Sequence, residues 1–353
     1  MMPLRMKLAL WLTSLTVAIP VAAALPGESI VLDPVTGDYT VTYFDYPDSP
    51  DKAQLRRAVF VPATKIDPAI KSLFRHRHDG VIDYSYRLSN GIKGKQALIS
   101  FILDPVSDIV SSVPLPKKEN SGHPGNIEDI QTAGSNALST PRDWIGRSTT
   151  SRVGGLRIGW TFGNLNSVND GLQIGMTQAG FGLFSKDLPG IVLAQFRGHA
   201  PVTMFPAEGP QGELANELAS IRQINFVVRP AAVPSIAVPL PFDAAMLLGR
   251  IQTHVQTWAG MDLLDTSFAA QLDRYLAAAA DAYRYQQPKA AKEHIETLRR
   301  MLKREHQDLE RDEEHEPDSR RNDGGKSVLI DRLAARVLDF DLRYLLRRLG
   351  DKH

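Results

Sequence analysis

Two hydrophobic periods divide this chain. From Leu25 to about Arg229, short apolar runs alternate with Gly, Pro, Asn and Asp, and their period of two predicts strands. The period is clearest in residues 81–88, where Ile82, Tyr84, Tyr86 and Leu88 share one side and Asp83, Ser85 and Arg87 the other. Asn90-Gly91 then offers a turn, and the run at 97–103 (ALISFIL) predicts a more fully buried strand, so the two are expected to form a hairpin. Similar runs lie at 29–32, 39–44, 156–162, 172–176, 181–185, 191–197 and 224–228, with a short helix expected within 209–222 from Leu214, Leu218 and Ile221. Many short strands with turn punctuation predict an antiparallel β-sandwich, with a barrel as the structural alternative.

From Phe242 onward the period lengthens to about 3.6. Leu247, Leu248, Ile251, Val255 and Trp258 line one helix, and Phe268, Leu272, Tyr275, Leu276, Ala279 and Tyr283 a second that Thr266 is expected to cap. Pro288 suits the first position of a third helix, marked by Ile295, Leu298, Leu302 and Leu309. Leu329, Leu333, Val337, Phe340, Tyr344 and Leu345 define the last helix. The predicted class is therefore α+β in separate domains: a β-sandwich over 25–229, a small antiparallel helical bundle over 242–349 with a charged insertion at 311–325, and a Pro-rich stretch at 230–241 between them. That stretch reads as a semi-rigid extended linker or as a sandwich edge strand followed by a loop, two readings that differ in how many residues pack. Residues 114–140 show little periodicity and are long for a connection inside a compact domain.

The first 24 residues change the setting. A basic start with Arg5 and Lys7 runs into an apolar stretch and ends at Ala22-Ala23-Ala24, which predicts an export signal cleaved before Leu25. A retained anchor is the alternative, disfavoured by Pro20. The chain has no cysteine, so stability rests on packing, and no N-x-S/T acceptor is present. Without the signal, 39 basic residues face 40 acidic ones, a near-neutral balance that gives nucleic acid no field to follow.

No pattern names a reaction. His76-Arg77-His78-Asp79 places two imidazoles at strand spacing, but a metal needs a third ligand, and a solvent-facing strand entry with an Asp79-Gly80 turn is the favoured reading. His294, His306 and His315 lack the i, i+4 spacing of a helical metal pair. The Ala133-Gly134-Ser135-Asn136 run lacks the glycines of a nucleophile elbow, and Gly175, Gly180 and Gly182 suit turns and bulges rather than a phosphate loop. Trp144, Trp160, Tyr39, Tyr43, Tyr84 and Tyr86 are expected in a core or cross-strand ladder ahead of a sugar platform. On the last helix, Arg332, Arg336, Arg343, Arg347 and Arg348 suit the helix dipole, with anionic lipid as the alternative partner.

The run Pro288-Lys-Ala-Ala-Lys-Glu-His-Ile295-Glu-Thr-Leu298-Arg-Arg-Met301-Leu302, followed by Leu329-Ile-Asp-Arg-Leu333-Ala-Ala-Arg-Val337, resembles the FIMAH-type helical modules of bacterial exported proteins. The name-giving Phe-Ile-Met-Ala-His run is replaced by Leu298-Arg-Arg-Met301-Leu302. The N-terminal part, with Gly180-Phe181-Gly182 and Asp187-Leu188-Pro189-Gly190, is similar to uncharacterised extracellular β-sandwich domains. The resemblance implies an accessory or interaction role and carries over no catalytic, cofactor or metal residues. The expectation is an exported, non-enzymatic binding or scaffolding protein of the envelope or extracellular space, with a protein or polysaccharide partner and no membrane span once the signal is removed. Two alternatives stand beside it: a secreted hydrolase with its site in the sandwich loops around His76, His78 and residues 114–140, and a peripheral membrane protein.

Overall fold

The computed structural model describes residues 26–45, 53–110, 138–163, 170–199, 205, 209–223, 226–307, 309 and 329–350. The expected signal at 1–24, the insertion at 311–325 with His315, and most of the 114–140 connection, Ala133 to Asn136 included, lie outside these residues. The fold is mixed, with three antiparallel sheets of twelve strands and five helices, four of them toward the C-terminus, among the described residues. The chain forms two compact units, Met1–Phe60 with Val202–Ile224, and Val61–Pro201 with Asn225–His353.

The smaller unit holds β1 (Ser29–Leu32), β2 (Tyr39–Asp45) and β3 (Gln54–Phe60) in that order, and helix α1 (Gly212–Gln223). Alternation puts Val41, Tyr43, Ala58 and Phe60 on one buried face, and Phe205 meets Tyr43 edge-on at 5.6 Å. Asp45 accepts from the Arg56 side chain and the Gln54 amide, both at 2.7 Å, and the Arg56 hydrogen bond holds its carboxyl below the usual range.

The larger unit holds two sheets. One runs β4 (Pro68–His76), β5 (Ile82–Asn90), β10 (Thr177–Ser185), β7 (Leu138–Ser139); the other runs β12 (Val227–Ile236), β11 (Leu188–Gly198), β6 (Leu98–Val106), β9 (Leu156–Phe162), β8 (Trp144–Thr150). Aromatic side chains fill the space between them. Phe101 stacks on Trp160 with centroids 4.6 Å apart, and Phe181 meets Phe101 and Trp144 edge-on at 5.1 and 5.0 Å. Their polar atoms are satisfied: Trp160 Nε1 donates to Ser139 O, Tyr86 Oη to Ala232 O and Tyr84 Oη to Asp187 O.

Two expectations meet a different connectivity. The strands β5 and β6 are not a hairpin, because β5 pairs with β4 and β10 while β6 pairs with β9 and β11 in the other sheet. Asn90 is the reason. Its buried amide donates to Gln96 O and Leu172 O and its Oδ1 accepts from Asp67 N, which pins the chain where it crosses between sheets. The run at 172–176 contributes only an isolated bridge between Leu172 and Leu98. Of the Pro-rich stretch, Pro230 to Ile236 belongs to β12, where Pro230 and Pro234 stand opposite Leu193 and Pro189. The strand lies at the sheet edge, the one place where missing N–H donors are tolerated. Strands β3, β4, β7 and β8 are additional to the expected set.

Helices α2 (Ala244–Gly260), α3 (Thr266–Arg284), α4 (Pro288–Glu305) and α5 (Arg332–Gly350) follow. Asp265, rather than Thr266, caps α3, because its carboxylate accepts from both Ser267 N and Phe268 N. Helices α2 to α4 bury one apolar stripe each, whereas α5 buries every residue from Val337 to Leu342. Over those six residues the helix is enclosed on all sides. Phe340 packs edge-on against Phe74 of β4 at 5.1 Å, Arg336 donates to Ser72 O and lies over the Phe74 ring, and Asp339 pairs with Arg299 of α4 at 2.8 Å. The helices and both larger sheets thus share one core.

Truncating Phe340 removes a buried ring from that junction. Phe340→Ala is expected to lower the unfolding free energy by about 3–5 kcal/mol, read by urea titration of near-ultraviolet and far-ultraviolet circular dichroism, whose transitions stay coincident. A loss under about 1 kcal/mol contradicts a shared core.

Candidate functional site

The outward face of the five-stranded sheet carries an open depression of about 380 Å³, within the size range of small-molecule clefts. Alternation builds it. On β9 the residues Ile158 and Trp160 point into the core, so Arg157, Gly159 and Thr161 point out. On β6 the same rule sends Phe101 and Leu103 inward and Ser100 and Ile102 outward; on β8 it presents Ile145, Arg147 and Thr149. Phe162, held edge-on to Trp144 at 5.7 Å, closes one end with Gly163.

Register places the polar groups together. Arg147 stands opposite Gly159 and Thr149 opposite Arg157, so the two guanidiniums are diagonal neighbours on one face. Thr161 lies across from Ser100, their hydroxyl oxygens 3.5 Å apart. Gly159 leaves the floor bare: a Cβ there would sit 3.7 Å from Ile102 Cγ1, an ordinary contact. The β8–β9 turn depends on Gly155, at φ 76°, where a Cβ would come within 2.4 Å of Val106 O. Arg157 gives one nitrogen to Asp104 at 3.4 Å, a long contact, and Arg147 is exposed, making no ion pair or hydrogen bond with the described residues. Two cations, three hydroxyls and the apolar Ile102 and Ile145 therefore share one face.

The histidines and acids singled out by sequence lie elsewhere. His76 ends β4 with its ring stacked on Phe340 at 4.4 Å and Tyr344 at 5.5 Å, while His78 is exposed in the β4–β5 turn. Asp79 pairs with Arg77 at 3.3 Å and accepts from Val81 N, which closes that turn. His294 lies against Tyr275, and His306 Nε2 contacts Ile330 O at 2.7 Å. Among the described residues no three His, Asp or Glu side chains stand close enough to hold a metal ion. Trp144, Trp160, Tyr43, Tyr84 and Tyr86 are buried, and half-buried Tyr39 lies against Phe60. On α5, Arg343 pairs with Asp339 at 2.9 Å and Arg348 lies over Phe242.

Sequence reasoning missed the depression residues, although the alternation of Arg157, Gly159 and Thr161 was a usable signal. What it lacked was the order β6-β9-β8, which sets Arg147 beside them.

Buried titratable groups surround α5. Burial raises the Asp341 carboxyl well above its ordinary range. Burial, then the Arg347 and Arg343 guanidiniums, lower His76 to about 4. A folded-state value below the unfolded one means that the neutral imidazole supports folding fully above about pH 6.5 and that this support is lost as pH falls through about 4. His76→Phe keeps the stack and removes the titration. It is expected to retain more of its neutral-pH stability at pH 4.5 than the parent, by roughly 1–2 kcal/mol once solvent screening is counted; parallel stability–pH curves contradict the assignment. No family model matches this chain, and no curated protein matches it.

Proposed function

We propose that this is an exported, non-catalytic binding or scaffolding protein of the cell envelope or extracellular space, whose ligand sits on the open β8–β9–β6 face. One observation carries the reading: Arg147, Arg157, Ser100, Thr149 and Thr161 converge around a bare apolar floor at Gly159. Hydrogen-bonding groups above an apolar surface orient a ligand and exclude water from it, which is what a binding site requires. The basic, apolar and small-residue succession of the first 24 residues supports export. No described helix is long and apolar enough to cross a membrane. In this reading the two larger sheets carry the ligand, and α2 to α5, which resemble FIMAH-type helices, brace those sheets through the core they share.

Gly159→Leu is the direct test, since its Cβ fits and its side chain fills the depression. A thermal-shift screen of glycans and peptides is expected to find ligands whose stabilisation disappears in Gly159→Leu while the melting temperature of the unliganded protein stays within about 3 °C. Ligands that stabilise parent and variant alike place binding elsewhere and overturn the proposal, as does hydrolysis that depends on His76. The chain recovered from the exported fraction is expected to begin at Leu25, as N-terminal sequencing reads; an intact Met1 there contradicts cleavage.

A further inference from the structure

We infer that the depression takes a polysaccharide bearing carboxylates, an inference that rests on the binding reading above and names its ligand class. The two guanidiniums set the charge. Arg147 and Arg157 are diagonal neighbours across β8 and β9, and among the described residues the one acid in contact with them, Asp104, reaches Arg157 only at 3.4 Å. Planar guanidinium groups suit carboxylates, which accept two parallel N–H donors. A carboxylate alone does not need the rest of the surface.

The hydroxyls and the floor supply the second half of the argument. Ser100 and Thr161 face each other across β6 and β9, and Thr149 stands opposite Arg157, so donors and acceptors surround the cations. Between them Ile102 and the bare backbone at Gly159 form a shallow apolar floor. A sugar acid has the matching parts: a carboxylate, a ring of hydroxyls, and a C–H face that loses water against an apolar surface. An acidic peptide matches less well. One mode of extended peptide binding adds a strand to a sheet edge; the edge here is β8, and β9 is hydrogen-bonded on both sides, to β6 and to β8, so a strand added at that edge lies beside the centre of the depression rather than over it. The open character of the depression suits a chain passing through it, with one acidic unit on the arginines.

The experiment uses the full chain after signal removal and three polymers: polygalacturonate, its fully methyl-esterified form, and poly-L-glutamate, titrated by calorimetry at low and high salt. Polygalacturonate is expected to bind. Methyl esterification, which keeps the hydroxyls and removes the charge, and Arg147→Glu are each expected to weaken binding about tenfold or more, the scale of one lost charge-assisted hydrogen bond. Gly159→Leu is expected to abolish it. Equal binding of the ester and the acid, both lost in Gly159→Leu, overturns the carboxylate requirement and leaves the site standing. Tighter binding of poly-L-glutamate overturns the choice of a polysaccharide in favour of an acidic peptide. If none of the polymers binds, the ligand class is wrong, and the thermal-shift screen with Gly159→Leu decides separately whether the depression binds anything.

Discussion

Helix α5 is the constraint on which the larger unit depends. A surface helix buries one stripe and leaves the opposite side to water, but α5 buries Val337, Leu338, Asp339, Phe340, Asp341 and Leu342 in succession. Its neighbours are the strands β4, β11 and β12 on one side and the helices α2 and α4 on the other. The helices therefore do not form a bundle with its own closed core, because the element that completes them also completes the sheets. Two carboxyls travel into the interior with it. Asp339 is neutralised by Arg299 and Arg343. Asp341 is fully buried, and that desolvation raises its carboxyl well above the ordinary range, a cost of placing a polar group there.

This arrangement divides the faces of the five-stranded sheet. Its inner surface gives Phe101, Trp160 and Phe196 to the aromatic core, with Phe101 stacked between the other two rings at 4.6 and 6.0 Å. The outward side of β6, β9 and β8 carries the depression. Because each strand alternates, the aromatic packing that holds Trp160 and Ile158 inward also holds Arg157, Gly159 and Thr161 outward at fixed spacing. The proposed ligand surface is thus positioned by rigid strands rather than by loops, which favours a preformed site.

What the sequence disclosed follows the strength of its periods. The stripe of Leu247, Ile251, Val255 and Trp258 and that of Ile295, Leu298 and Leu302 are buried as their spacing predicts, and so is the alternation from Ile82 to Leu88. Strands β3 and β4 escaped because Arg56 and Arg57 in one, and Lys71 and Arg75 in the other, interrupt the apolar alternation. The prolines of β12 left a linker and an edge strand both open, since the edge position that makes them compatible with a strand is a property of the assembled sheet. Asp339 lies off the apolar stripe of α5, whereas Asp341 falls on it, four residues from both Val337 and Leu345, and no single-helix pattern announces that the side bearing Asp339 is enclosed. The depression was hidden for a similar reason: its residues come from strands that the chain order does not place side by side.

The central claim is that α5 belongs to the same cooperative unit as the sheets. Native-state amide hydrogen exchange followed by mass spectrometry tests it most directly. Peptides covering Val337 to Leu342 are expected to exchange only through global unfolding, with the same denaturant dependence as peptides from β11 and β6. If α5 opens together with α2 to α4 in a separate step of lower free energy while the sheets stay protected, the helices are an independent module and the claim fails.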